Sequence, residues 1–293
     1  MSALPPAITP VTIPAEDCTP LRIDAAWIYP VKSCAGTAVE SLQVLPDGSL
    51  EGDREWAVLN AADEVTWQGA FPRLALVRAS LDPEMLHLDA PGMPRLSLAR
   101  EAAGPLRSIR FWNEARADFD LFDAEDAGED AHRWLSQAVG EPLQLVRLGA
   151  VARSRPLLNP IHVIAGVSLD ALNQRLRGLG HAAVEIERFR PNLLVTGDEA
   201  LLPFDELRMS ALHRADATGA LAQVLRFVGP CVRCVIPNID LHTAAVGEEP
   251  LASVGRLSHE RESGAAAIFG AYGKAPAGMR FRVGDSLLGE PDF

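Results

Sequence analysis

LALVRASLDPEMLHLDAPGMPRLSLAREAAGPLRSIRFW, residues 74–112, punctuates short apolar runs with turn residues. Asp82-Pro83 and Pro91-Gly92-Met93-Pro94 break it into Leu74–Leu81, Met85–Asp89 and Ile109–Trp112. Such Pro- and Gly-centred clusters mark turns, and the pieces between them have strand length. Upstream, Leu21–Tyr29 and Trp56–Asn60 read the same way, with Pro46-Asp47-Gly48 between them. Turns roughly ten residues apart predict a sandwich or barrel and argue against βαβ units.

The first helix is predicted over Asp126–Val139, where Ala131, Trp134, Leu135, Ala138 and Val139 follow the i, i+3, i+4 stripe. Asp126 is the expected cap, with Glu129 three residues on and Gly140 as the stop. Strands follow at Leu143–Leu148 and Ile161–Ala165, with a Pro- and Arg-rich loop at 149–160 between them. Ser168 is the expected cap of a second helix carrying Leu169, Leu172 and Leu176. Further strands are predicted at Leu193–Thr196, Glu206–Leu212, Leu221–Phe227, Ala266–Tyr272, Arg280–Val283 and Ser286–Leu288, and a short helix at Glu248–Leu257.

With 293 residues, the chain has room for one large domain or two ordinary ones. Its 27 Lys and Arg against 39 Asp and Glu give a net charge of −12, a field that repels phosphate and disfavours nucleic acid or an anionic membrane surface. Only Lys32 and Lys274 are lysines. The four cysteines, Cys18, Cys34, Cys231 and Cys234, are too sparse for a disulfide scaffold. The first twenty residues lack a basic stretch followed by an apolar one and read as a disordered tail. No run reaches the about 18 apolar residues of a membrane span. A soluble, cytoplasmic protein of a reducing compartment is expected.

Four segments could carry chemistry. Cys231-Val232-Arg233-Cys234 could be half of a zinc site, a redox dithiol, a thiolate ligand for a softer metal, or two small buried hydrophobes. Tyr29-Pro30-Val31-Lys32-Ser33-Cys34-Ala35-Gly36 offers an ammonium, a hydroxyl and loop amides to an anion, or is a solvated strand end. Arg54, between Asp53 and Glu55, is either a surface ion pair or a guanidinium aimed at an anion. In Arg188-Phe189-Arg190-Pro191-Asn192 an extended backbone would put both arginines on one side, with an amide following. The seven scattered histidines, His87, His132, His162, His181, His213, His242 and His259, form no metal-ligand spacing and are expected to be structural or solvated. A soft thiolate plus three anion-binding groups asks for a ligand with both a metal and a phosphate.

These segments, taken in order, resemble MOSC-domain proteins that carry an N-terminal β-barrel partner domain, in particular the amidoxime-reducing-component family. The matching stretches are IYPVKSCAG at 28–36, GDREWAVLN at 52–60, FPRLALV at 71–77, SLDALNQRL at 168–176, RFRPNLLV at 188–195, CVRCVIPNID at 231–240 and FGAY…RVGDSL at 269–287. The resemblance implies a mostly β (α+β) chain with a few short helices: a tail over 1–20, an N-terminal MOSC-type β-barrel-like domain over 21–125, and a MOSC β-barrel domain over 126–293 packed against it. It implies a molybdenum cofactor, with Cys234 as the metal ligand and Lys32, Ser33, Arg54, Arg190, Asn192 and Arg233 around the pterin phosphate and metal. Asp240 is expected to handle protons, and Cys231 to be a bystander. The implied reaction is reduction of a small N-hydroxylated or N-oxygenated compound with electrons from a separate reductase. A carrier of the cofactor or of sulfur, without turnover, is the alternative. Ala165-Gly166-Val167 stands where relatives often have Ser-Glu-Ala, Pro237-Asn238 where they often have Thr-Thr, and the loop around 150–160 is shorter than theirs.

Overall fold

The computed structural model describes residues 14–101, 104–154 and 161–292. Of the expected tail, residues 14–20 are described: a short turn at Ala15–Asp17 leads into β1 (Thr19–Ile28). The rest of the expected tail, and 155–160 of the expected short loop, lie outside the described residues.

After β1 come β2 (Thr37–Ala38), β3 (Ser41–Gln43), β4 (Trp56–Leu59), β5 (Arg78–Leu81), β6 (Met85–Asp89) and β7 (Leu96–Ala99). β8 (Leu106–Asn113), β9 (Asp118–Asp126), α1 (Glu129–Val139), β10 (Gln144–Leu148) and α2 (Ala150–Arg153) complete the first half. The second half holds β11 (Ile161–Ala165), α3 (Gly166–Gly178), β12 (Leu193–Gly197), β13 (Met209–Ala215), β14 (Leu221–Val232), α4 (Leu251–Arg261), β15 (Ile268–Lys274), β16 (Arg280–Arg282) and β17 (Ser286–Pro291).

Seven of the described strands close a barrel in the order β12-β11-β15-β14-β13-β17-β1, with β1 pairing back to β12. Only β11 and β12 are parallel neighbours, and α3 provides the crossover between them. Alternation along β1 sends Leu21 and Ile23 inward, where they meet Ile161, Val163, Val195, Leu212, Leu225 and Leu287. Each such side chain contributes about 1.5–3 kcal/mol on burial. Outside the barrel, α3 and α4 bring Leu172, Leu176 and Val254 onto Phe189, Phe204 and Phe269.

The N-terminal body is a four-stranded sheet (β4-β10-β9-β8) and a three-stranded one (β5-β6-β7). Trp134, Leu135 and Ala138 of α1 share a core with Trp56, Val58, Leu86 and Leu88 from the two sheets. The Trp134 indole donates to the Pro94 carbonyl at 2.6 Å, which ties α1 to the three-stranded side. The expected division after residue 125 falls inside β9, and β10 pairs with both β4 and β9. β1 precedes this body in sequence yet pairs into the barrel.

Several local expectations change. Leu74–Leu81 is not one strand, because Pro72 opens a 3-10 turn over Pro72–Leu76 before β5. Gly128, at φ 91°, precedes α1 in place of the expected cap Asp126. The Asp126 carboxylate instead accepts the Gly128 N–H at 2.7 Å and lies 2.8 Å from His132 Nε2. Ser168 lies inside α3, where its hydroxyl donates to Glu206 and accepts the Phe204 N–H. A short turn at Asp205–Leu207 precedes β13, and α4 begins at Leu251.

Candidate cofactor and substrate site

The strand β1 ends at the joint between the two bodies, and the loop that follows runs into the N-terminal one. Tyr29 is the centre of that joint. Its ring is almost fully buried, its hydroxyl donates to the Pro191 carbonyl at 3.0 Å, and its N–H is taken by Asp53 Oδ1 at 2.7 Å. Arg190 lies over the ring at 4.1 Å from its centroid and Arg54 lies at 5.5 Å. Asp53 also pairs with Arg54, and the Arg190 guanidinium donates to the Cys34 carbonyl. Desolvation brings Arg190 down to about 10, and the nearby Arg54 charge pushes the same way.

Main-chain bonds bring the predicted phosphate segments together. Lys32 N–H donates to the Trp56 carbonyl, Arg54 N–H to Tyr29 and Trp56 N–H to Pro30, all within 3.0 Å. Ser33, Arg54 and Arg190 have φ of 71°, 53° and 55°, the left-handed region that side chains rarely adopt. Each such residue costs about 1–3 kcal/mol, and strain of this kind collects at ligand clamps. One strained residue sits in each of three segments singled out for anion binding. The two arginines do not share a side of an extended strand: Arg188 lies in the turn Ile186–Phe189, and Arg190 ends that turn left-handed.

Asn192 is fully buried and committed to the barrel. Its side chain accepts from the His162 N–H at 3.1 Å and donates to the Trp27 carbonyl at 3.2 Å. It therefore stitches β1, β11 and β12 together. His162 beneath it is held near 3 by burial, with Arg233 adding to the effect.

Cys234 is exposed, whereas Cys18, Cys34 and Cys231 are buried. Burial pushes the Cys34 thiol up to about 12. Among the described residues no group of three or more His, Cys, Asp or Glu could hold a metal, so the zinc reading lacks its donor set. Arg233 turns away from Cys234. One of its nitrogens lies 2.7 Å from Cys231 Sγ and another donates to the Phe189 carbonyl at 2.9 Å. The Cys231 thiol in turn donates to the Tyr272 hydroxyl at 2.9 Å, so it is a packed anchor for Arg233.

The Asp240 carboxylate closes a turn. Oδ1 accepts the N–H groups of His242 and Thr243 and the Thr243 hydroxyl, and Oδ2 accepts Arg188 at 2.6 Å. The Thr243 hydroxyl, the two N–H groups and Arg188 hold it below the usual carboxylate range. These four donors favour the ionised form of the carboxyl.

A cleft of about 280 Å³ opens at the joint, lined by Tyr29, Gln68, Arg78, Glu185, Arg190 and His242 among others. The loop carrying Cys234 packs behind one wall of it. Arg233 holds Phe189, and Arg188 reaches the Pro237 carbonyl. Gln68, Arg78, Glu185 and His242 were not singled out from sequence. Gln68 directly follows Trp67 in an unmarked loop, and Arg78 lies just past the FPRLALV stretch. Only Glu185 and His242 carried a signal, their nearness to the Arg188 and Asp240 segments.

A closed barrel joined to a two-sheet N-terminal body, with clustered arginines at the joint and an exposed cysteine in the barrel half, defines a two-domain MOSC protein. The MOSC N-terminal beta barrel domain matches residues 21–142 and the MOSC domain matches residues 154–288. The chain is a member of this family. It is 29% identical over 253 residues to mitochondrial amidoxime reducing component 2 of Rattus norvegicus, a match covering 78% of this chain and 70% of that protein. Its counterpart from Bos taurus is 25% identical over 294 residues, covering 90% and 82%. Molybdenum cofactor sulfurase of Oryza sativa subsp. japonica is 28% identical over 276 residues, covering 83% of this chain and 31% of that protein.

Proposed function

We propose that the protein is a molybdenum-cofactor oxidoreductase that reduces small N-hydroxylated or N-oxygenated compounds, taking electrons from a separate reductase. The observation that carries this reading is the clustering of strained Arg54 and Arg190 against Tyr29, in a chain whose Cys234 is exposed while Cys18, Cys34 and Cys231 are buried. The relatives named amidoxime reducing component supply the substrate class.

The residues fit the group. A metal already held by the two sulfurs of a pterin needs one thiolate from the protein, and Cys234 is the accessible one. The phosphate end is multiply charged, and Arg54, Arg190 and Lys32 meet it from three segments, with Ser33 beside them. When bound, the cofactor supplies a metal that takes up an oxygen atom and exchanges electrons. The chain's part is positioning. Asp53 orients Arg54, the Cys34 carbonyl and the Tyr29 face orient Arg190, and Cys231 and the Phe189 carbonyl fix the Arg233 guanidinium. Asn192 fixes the strand ends from which these side chains project.

The test is the metal and pterin content of protein made in a cofactor-competent host and purified without oxygen, followed by turnover of benzamidoxime with a chemical electron donor. Near-stoichiometric molybdenum and pterin with turnover is the expected result. Molybdenum without turnover would favour a carrier, and zinc without molybdenum would overturn the reading.

A further inference from the structure

The proposed reduction consumes protons as well as electrons. Converting R–NHOH to R–NH2 breaks the N–O bond, takes two electrons from the separate reductase and two protons, and releases the oxygen as water. Asp240 accepts four hydrogen bonds, from the His242 and Thr243 N–H groups, the Thr243 hydroxyl and Arg188, which favour its ionised form. The turn that Asp240 closes carries another group. His242 follows two residues later and lines the cleft together with Glu185 and Arg190. Its Nε2 lies 3.2 Å from Glu185 Oε1, and its side chain is 75% exposed, so bulk water reaches the ring.

Glu185 is suited to hold an imidazolium. Partial burial opposes its charge, but its own backbone N–H, His242 and Arg188 outweigh that and keep its carboxyl below the usual range. The charged groups around this pair are Glu187, Arg78 and Arg190, which line the same cleft, Arg188, which pairs with Glu185, and Asp240, which pairs with Arg188. An imidazole is the side chain best matched to taking and giving protons near neutral pH.

We propose that His242, held by Glu185, is the acid that protonates the departing oxygen of an N-hydroxylated substrate bound in the cleft, an inference that rests on the reductase reading above. The imidazolium gives its Nδ1 or Nε2 proton to the oxygen as the N–O bond breaks. The neutral ring then takes a new proton from solvent, and the second proton enters by the same path.

Two measurements test it. In metal-free protein, benzamidoxime is titrated while the His242 ring resonance is followed by NMR, with His242→Asn used for assignment. A saturable shift, weakened in Glu185→Gln, is expected, and an unmoved ring overturns the proposal. In molybdenum-loaded protein, His242→Asn should keep the wild-type molybdenum and pterin content and lose about tenfold or more in kcat/KM. Added imidazole should restore part of the variant's rate. A wild-type rate in His242→Asn would refute it. Wild-type protein without molybdenum would sink the parent reading instead, and the NMR titration would still decide whether His242 meets the substrate.

Discussion

Glu206 gives the fold a pH dependence that one substitution should remove. The residue is almost fully buried, just ahead of β13, and its Oε2 accepts the Ser168 hydroxyl at 2.8 Å. Oε1 has no partner among the described residues. Burial raises its carboxyl from 4.5 to about 7, and Ser168, nearby backbone N–H groups and Arg261 offset only part of that. The folded state therefore holds a proton that the unfolded chain releases above 4.5. Glu206 should contribute its full stability below about 4.5, lose it as pH rises toward 7, and add no further change above that. At 1.36 kcal/mol for each unit, the swing is about 3 kcal/mol. Glu206→Gln keeps the shape and an acceptor for Ser168 but cannot ionise. Urea unfolding of both proteins at several pH values between 4.5 and 8 gives a difference curve free of other groups. The wild type should lose about 3 kcal/mol relative to the variant across that window. A flat difference curve would show that Glu206 ionises in the fold as it does in water, and the burial argument would be wrong.

Cys234→Ser should reduce molybdenum content to background by elemental analysis while the thermal midpoint barely moves, because the side chain is exposed and fills no core space. Cys231→Ser should retain the metal, since a hydroxyl can still meet Arg233 and Tyr272. Arg190→Ala should lower pterin content by more than the about 0–1 kcal/mol of a surface ion pair, because it removes a cation stacked on Tyr29 at 4.1 Å. Gly270→Ala should cost more than about 1 kcal/mol in urea unfolding, because φ is 80° and the added Cβ would lie 2.4 Å from His162 Nε2.

Much of this architecture is legible in the chain because its signals are local. Period-2 burial in β1, the Pro and Gly turns around β6, and the stripe on α1 each report a nearby neighbour. The boundaries that moved are those where a distant contact or a proline intervenes. Pro72 turns the backbone before β5, and Glu206 draws Ser168 from a capping position into the interior. Segments of the site could be picked out because Arg, Lys and Cys are conspicuous there. Their aim could not. Nothing in Cys-Val-Arg-Cys says that Arg233 points to Cys231 and Phe189, and nothing in Asn-Ile-Asp says that Thr243 will saturate Asp240. Gln68 and Arg78 reach the cleft from stretches with no chemical signature of their own.

The same joint that forms the site also holds the two bodies together, and this sets what ligand binding does. Tyr29 belongs to the loop after barrel strand β1, yet its N–H is held by Asp53 and its hydroxyl by Pro191. Arg190 comes from the barrel side and reaches back to Cys34. Strained Arg54 and Arg190 are therefore each held by a bond to the segment after β1, and the strain persists because several contacts fix the same backbone. Arginines already fixed against Tyr29 lose little freedom when an anion arrives, so more of the binding energy appears as affinity. The cost of positioning them is met once, when the barrel and the N-terminal body pack around Tyr29. Loosening that packing at a distance, through Trp134 or Asn192, should weaken the cofactor without touching it.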